Sequence, residues 1–157
     1  MSWSPRADRT WRKRALPEVV SICRRTWAAK YQNIVEEIAS FALSRADGAA
    51  VKGTSDCQIS FERIRLSDIS VRNPERAEHA ADGYPLLREF LVVHPKADAV
   101  PIVCSRSNGR IAVWDGHHRV RTYELAGRED IPAIVLEFVP GSGHVRVIPS
   151  RNGPKTS

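Results

Sequence analysis

Five consecutive residues carry the densest chemistry in the chain: Asp115, Gly116, His117, His118 and Arg119, set between the apolar "RIAVW" and a helical segment. Metal binding is the first use that two histidines bring to mind. Neighbouring positions on a helix diverge by about 100°, however, and one ion is normally held by histidines four apart, so no metal shared by both imidazoles is expected. Anion binding needs no such convergence. A glycine at the turn lets backbone approach a ligand, and the first N–H groups of a helix point partial positive charge at a phosphate. Arg119 would add a two-pronged guanidinium contact, and His117 and His118 further donors. The structural alternative is a capped corner, with Asp115 as N-cap and the histidines merely exposed. Residue types alone leave the phosphate turn and the capped corner side by side.

The elements around this corner follow from spacing. "PIVCS" and "RIAVW" read as two strands joined by "RSNG", whose Asn108-Gly109 pair suits a tight turn needing positive φ. The corner's helix is expected from about His117 to Ala126, with Gly127 as its left-handed stop, and "IPAIVLEFV" as a buried strand after it. Upstream, "CQISFERIRLSDI" contains a short strand around Ile59 and Phe61, and "VRNPERAEHAADGYP" reads as a surface loop with at most one helical turn. Pro85 starts a helix expected to bury Leu86, Leu87, Phe90 and Leu91. Val145 to Ile148 supply one edge strand.

From Pro17 to about Arg45 apolar residues recur every three or four positions, which predicts one long amphipathic helix stopped by Asp47-Gly48. Its stripe is read first as core, with a protein partner or a second copy of the chain as the other occupant. Residues 46 to 56 read as a linker.

With 157 residues, 42% hydrophobic and 27% charged, the chain suits one globular domain with appendages. Net charge is +6, and residues 1 to 30 account for all of it, with eight Lys or Arg against Asp8 and Glu18. Residues 1 to 16 are therefore expected to form a loosely ordered basic arm. Arg12, Lys13, Arg14, Arg24 and Arg25 are its candidate DNA contacts, against the plainer reading of a solvated tail. Cys23, Cys57 and Cys104 are odd in number and lack CxxC spacing, which argues against a disulfide framework and for a reducing, cytoplasmic setting. No run approaches the length of a membrane span, and no secretory signal is visible.

The run "PIVCSRSNGRIAVWDGHHRVRTYELAGREDIPAIVLE" resembles the superfamily of the ParB N-terminal domain and sulfiredoxin, with its hydrophobic strand, short hairpin, "(D/G)-G-x-(H/R)-R" turn, helix ending in "AG" and "IP" strand in the same order. A weaker likeness in "FERIRLSDISVRNPER" extends it over roughly residues 58 to 138. The resemblance implies an α+β fold, a ParB/sulfiredoxin-like small mixed sheet flanked by helices, here with an added N-terminal amphipathic helix. It divides the chain into an arm (1 to 16), a helix and linker (17 to 57), a nucleotide-binding domain (58 to 150) and a tail (151 to 157).

It also implies that Asp115, Gly116, His117, His118 and Arg119 hold nucleotide phosphates, with Arg72 or Arg76 as a loop arginine. Glu75, Glu62 and His118 become the candidate catalytic residues. ATP or another nucleoside triphosphate, with Mg2+, is the implied cofactor. Sulfiredoxin chemistry is not expected, because His117 stands where that enzyme has its cysteine, and neither is a complete partition protein, which has a helix-turn-helix domain after this one. Two branches remain. One holds single-domain ATPases with DNA-cleaving activity, among them plasmid-borne suppressors of DNA transfer; the other holds kinases of free serine that carry a "DGHHR" turn. A non-catalytic, nucleotide-gated DNA- or protein-binding module is the third expectation.

Overall fold

The structure, a computed structural model, describes residues 1–27, 32–71 and 73–149. In chain order its regular elements are β1 (Ser2–Trp3), α1 (Trp11–Thr26), α2 (Val35–Ala50), β2 (Ser55–Arg65), β3 (Ile69–Val71), α3 (Pro74–His79), α4 (Pro85–Val93), β4 (Ile102–Ser107), β5 (Arg110–Asp115), α5 (His117–Leu125), β6 (Asp130–Pro140) and β7 (Val145–Val147). The strands form one mixed sheet of seven in the order β1-β7-β2-β6-β4-β5-β3. Pairs β2/β6 and β4/β5 are antiparallel, whereas β4/β6, β2/β7 and β3/β5 are parallel.

Alternation along the strands divides the core into two layers. Cys57, Ile59 and Phe61 of β2 and Ile134 and Leu136 of β6 face α1 and α2. Ile64, Ile131, Ala133 and Val135 face Val120 and Tyr123 of α5 and Leu87 and Leu91 of α4. The expected α+β class with a mixed sheet and flanking helices is therefore present, as three layers.

Several local expectations hold. Asn108 and Gly109 have φ 51° and 75°, the left-handed pair of a tight hairpin, and Gly127 ends α5's segment at φ 74°. All three cysteines are free and buried, and burial pushes each thiol up to about 12.

Others are corrected. The segment expected as a loose arm is built into the fold: β1 pairs with β7, and Trp11 opens α1 fully buried. Its indole Nε1 donates to Asp47 Oδ1 at 2.6 Å, a contact 36 residues away that no local pattern foretells. The single long helix is two. Pro17 lies inside α1 rather than starting it, and Trp27 is already extended at φ −129°, ψ 131°. The second helix runs past Asp47-Gly48 to Ala50, through the expected linker. Asp47 is engaged by Trp11, and a side chain at Gly48 would meet open space, so neither acts as a stop. A buried small-residue stripe, Ala39, Ala42, Ala46 and Ala50, lets α2 lie close against its neighbours. The edge-strand expectation at Val145 shifts inward, since β7 sits between β1 and β2. Leu86, expected in the core of α4, is 77% exposed.

Candidate functional site

The register that pairs β4 with β5 sets Asp115 opposite Val103, and the chain then turns sharply at Gly116 into α5. Gly116 has φ 112°, a conformation that L side chains rarely adopt, and a Cβ there would meet Ile102 Cγ2 at 2.5 Å. Glycine is thus required twice, for the turn and for packing on β4. The N-cap is Gly116 and not Asp115, so the cap residue offers no side chain to the helix's first turn.

Asp115 instead accepts from Arg119 Nη2 at 3.1 Å, and the same nitrogen donates to Pro101 O at 3.1 Å. The guanidinium is folded against the turn, its side chain 12% exposed, with a buried Nε that has no hydrogen-bond partner. That orphaned donor is costly in a folded interior unless something repays it.

Around the turn lies a polar cavity of about 330 Å³, lined by Asp115, Gly116, His117, His118 and Arg119 together with Arg76, His79 and Tyr84. Three histidines and two arginines thus meet one carboxylate, which Arg119 already holds. Arg76 and His79 lie three apart on α3 and so share a face. Asn73 Oδ1 caps that helix, accepting from Glu75 N and Arg76 N, with Pro74 at its first position. The segment read as a loop with at most one helical turn holds this six-residue helix, and His79, at its end, was not among the expected site residues.

Tyr84 was missed as well. Its ring stacks on His118 with centroids 5.0 Å apart and planes inclined by 18°. Its backbone N donates to Thr122 Oγ1 at 2.8 Å, and that hydroxyl donates to His118 O at 2.6 Å. The loop before α4 is thereby tied to α5 one turn beyond the histidines. On the far side of Tyr84 and Arg119 opens a second cavity of about 400 Å³, whose other walls are apolar: Ile34, Pro85, Leu86, Leu87, Ala99 and Val100. Exposed Leu86 forms part of this wall, which accounts for its place outside the core.

The remaining candidates separate from the site. Arg72 lies outside the described residues. Glu75 is exposed on α3 and does not line either cavity. Glu62 lies on β2, aligned through Ala133 with Ile102, three strands from β5, or about 14 Å at ordinary strand spacing. Its carboxylate is bound by Arg106 at 2.9 and 3.0 Å and by Ser60 Oγ at 2.6 Å. Arg106 also reaches Glu137 at 3.0 Å. The catalytic expectation for Glu62 is therefore corrected to that of a partner in an ion-pair network. Arg12, Lys13, Arg14, Arg24 and Arg25 are exposed on α1, across the sheet from α5.

Among the described residues no group of three His, Cys, Asp or Glu side chains is placed to hold a metal ion, and no helix is long and apolar enough to cross a membrane. A magnesium ion held by the protein does not fit a pocket whose one lining carboxylate is paired with an arginine. Comparison with protein-family models and with curated proteins finds no match.

Proposed function

We propose that this chain binds a nucleoside triphosphate at the α5 turn and hydrolyses it. The observation that carries the proposal is the junction of two unlike cavities at Tyr84 and Arg119. A phosphorylated nucleoside has that same division, with an anionic chain at one end and an apolar, stackable base at the other. The phosphates would lie against the α5 N-terminus, Arg76, His79 and His118, and the base would lie on the apolar walls beside Tyr84. The ParB/sulfiredoxin-like order of strand, hairpin, turn and helix over residues 58 to 138 supports the same placement.

In hydrolysis the positive groups would stabilise charge developing on the transferred phosphoryl. With Glu62 bound elsewhere and Glu75 outside the cavity, His79 and His118 are the pocket's own candidates to accept a proton from the attacking water. Magnesium, when needed, would arrive on the triphosphate as part of the substrate. Action on DNA is a separate question from this pocket, because the basic residues expected for it lie on α1, across the sheet.

A second reading, nucleotide binding without turnover, is favoured because the one carboxylate that lines the cavity among the described residues, Asp115, is paired with Arg119. One assay separates these: ATP titrated calorimetrically into the wild type and Arg119→Ala, alongside release of phosphate with and without DNA and free serine. Hydrolysis lost in Arg119→Ala supports the first reading, and binding without release supports the second. ADP formed only when serine is present would select a small-molecule kinase. Equal ATP affinity in both proteins would remove the turn from any nucleotide site.

A further inference from the structure

We propose that the exposed face of α1 is a docking surface for the phosphate backbone of double-stranded DNA, separate from the α5 turn and independent of the nucleotide reading. The first ground is a broken rule. Carboxylates stabilise the first turn of a helix and cations oppose its dipole there. Glu36 and Glu37 open α2 and Glu75 opens α3 in accord with that rule; α4 and α5 open without a carboxylate, and α1 departs furthest, with Arg12, Lys13 and Arg14 and no acidic residue in its first turn. All three side chains are exposed, so packing does not explain them. Helix stability alone would have placed these charges elsewhere.

The second ground is spacing. Lys13 and Arg24, and likewise Arg14 and Arg25, are eleven residues apart, three turns with a residual rotation of about 20°, so each pair shares one face at about 16 Å separation. Between them on that face lie Pro17 and Ser21, exposed and uncharged, and the half-buried Glu18. Two basic clusters at that separation can grip both phosphate walls of a B-form major groove, which is about 12 Å wide. Beside the first cluster, Arg9, Arg12 and Lys13 line a cleft of about 350 Å³ between α1 and α2, with the hydroxyl residues Thr10 and Ser40.

The acidic groups nearby leave this field positive. Asp8 is engaged by Thr10 at 2.7 Å and by Arg14 at 3.6 Å, an exposed pair that a phosphate can displace, and Glu18 is half-buried.

The partner is a nucleic-acid backbone rather than a bilayer for two reasons. A membrane-surface helix inserts its apolar face, but that of α1, with Trp11, Ala15, Val19 and Ile22, is spent in the core. None of the exposed large apolar side chains belongs to α1. Four of its five surface cations are arginines, whose planar fork suits phosphate oxygens. Contacts to the two phosphate walls carry no sequence information, so the binding should not depend on sequence.

The test is anisotropy of two labelled 20-base-pair duplexes of unrelated sequence, titrated without nucleotide at 50 and 200 mM salt. Four phosphate contacts predict about a hundredfold weakening over that range, equal for both duplexes, and Arg24→Gln/Arg25→Gln should reduce it to about tenfold. Lys13→Gln/Arg14→Gln/Arg24→Gln/Arg25→Gln, with its helical circular dichroism unchanged, should lose measurable binding at 200 mM, whereas Arg119→Ala should bind like the wild type. Affinity of the fourfold variant within twofold of the wild type would overturn the proposal. So would capture by phosphatidylserine vesicles with none by duplex.

Discussion

Two arginines hold the short segment that leads into β4, and they are satisfied very differently. Arg63, at its start, donates to Asp98 at 2.9 and 3.1 Å and to Asp130 at 2.8 Å. Asp98 also accepts from Tyr123 Oη at 3.1 Å and lies 3.7 Å from Arg128, which in turn bonds the carbonyls of Leu91, His94 and Ala97. The hydrogen bonds that Arg63 donates to Asp98 drive its pKa upward against burial, and burial together with that carboxylate does the same to Tyr123. At the other end Arg119 spends one nitrogen on Pro101 and Asp115 and leaves Nε buried without a partner. The first network has no capacity left and serves the fold. The second is incomplete, and incompleteness beside a cavity is what a ligand site requires.

Removing the centre of the complete network should give the largest effect. Asp98→Ala leaves Arg63 and Arg128 facing each other across a buried gap, and should cost about 3 to 5 kcal/mol in urea unfolding. A loss below about 1 kcal/mol would show that the two arginines are equivalent after all. Arg119→Ala should divide the other way. Its loss of stability should be small, because the orphaned Nε leaves with it, while ATP affinity falls at least thirtyfold, about 2 kcal/mol for a charge-assisted contact. Tyr84→Ala comes next, with about tenfold weaker ATP binding through loss of a stacking surface. Inorganic triphosphate, which has no base, should bind Tyr84→Ala and wild type alike; a parallel loss for both ligands would deny Tyr84 its place at the base.

How much of this was readable in the sequence follows the range of the interactions concerned. The β4–β5 hairpin, the Gly116 turn, α5 and the central strand β6 are specified within a few residues each, by Asn108-Gly109, by glycine and by a continuous apolar run, and the structure has them. The fates of Trp11, Glu62 and Arg63 are decided by Asp47, Arg106 and Asp98, each more than 30 positions away. No period shows such pairings. The polar half of the candidate site was legible for the same reason that the turn was, since five of its residues are consecutive. Arg76 was among the expected residues, but His79 and Tyr84 depend on how α3 and the loop before α4 fold against α5, and the apolar cavity on contacts between Ile34, Leu86 and Val100.

The smallest expected effect tests the same contrast in backbone donors rather than arginines. At the loop between β6 and β7, the N–H groups of Ser142, Gly143 and His144 converge on Asp56 Oδ1 at 2.9 to 3.0 Å. The cap residue of α5 is a glycine and brings no such carboxylate to that helix's first turn. A side-chain anion is thus built in at the first cluster, whereas Asp115, next to the second, is held by Arg119. The His144 N–H, with those of Ser142 and Gly143, holds the Asp56 carboxyl below its ordinary value. A carboxyl with a lower value folded than unfolded contributes stability above its unfolded value, about 3.9, and loses it as pH falls through the folded one. Asp56→Asn should therefore lower the urea midpoint modestly at pH 6, with the difference from wild type shrinking below about pH 4. ATP affinity should not change at all, because this cluster is already filled. A mutant whose deficit is the same at pH 6 and pH 3 would show that the loop needs the shape of the side chain and not its charge, and the contrast with α5 would then be one of packing instead of anion supply.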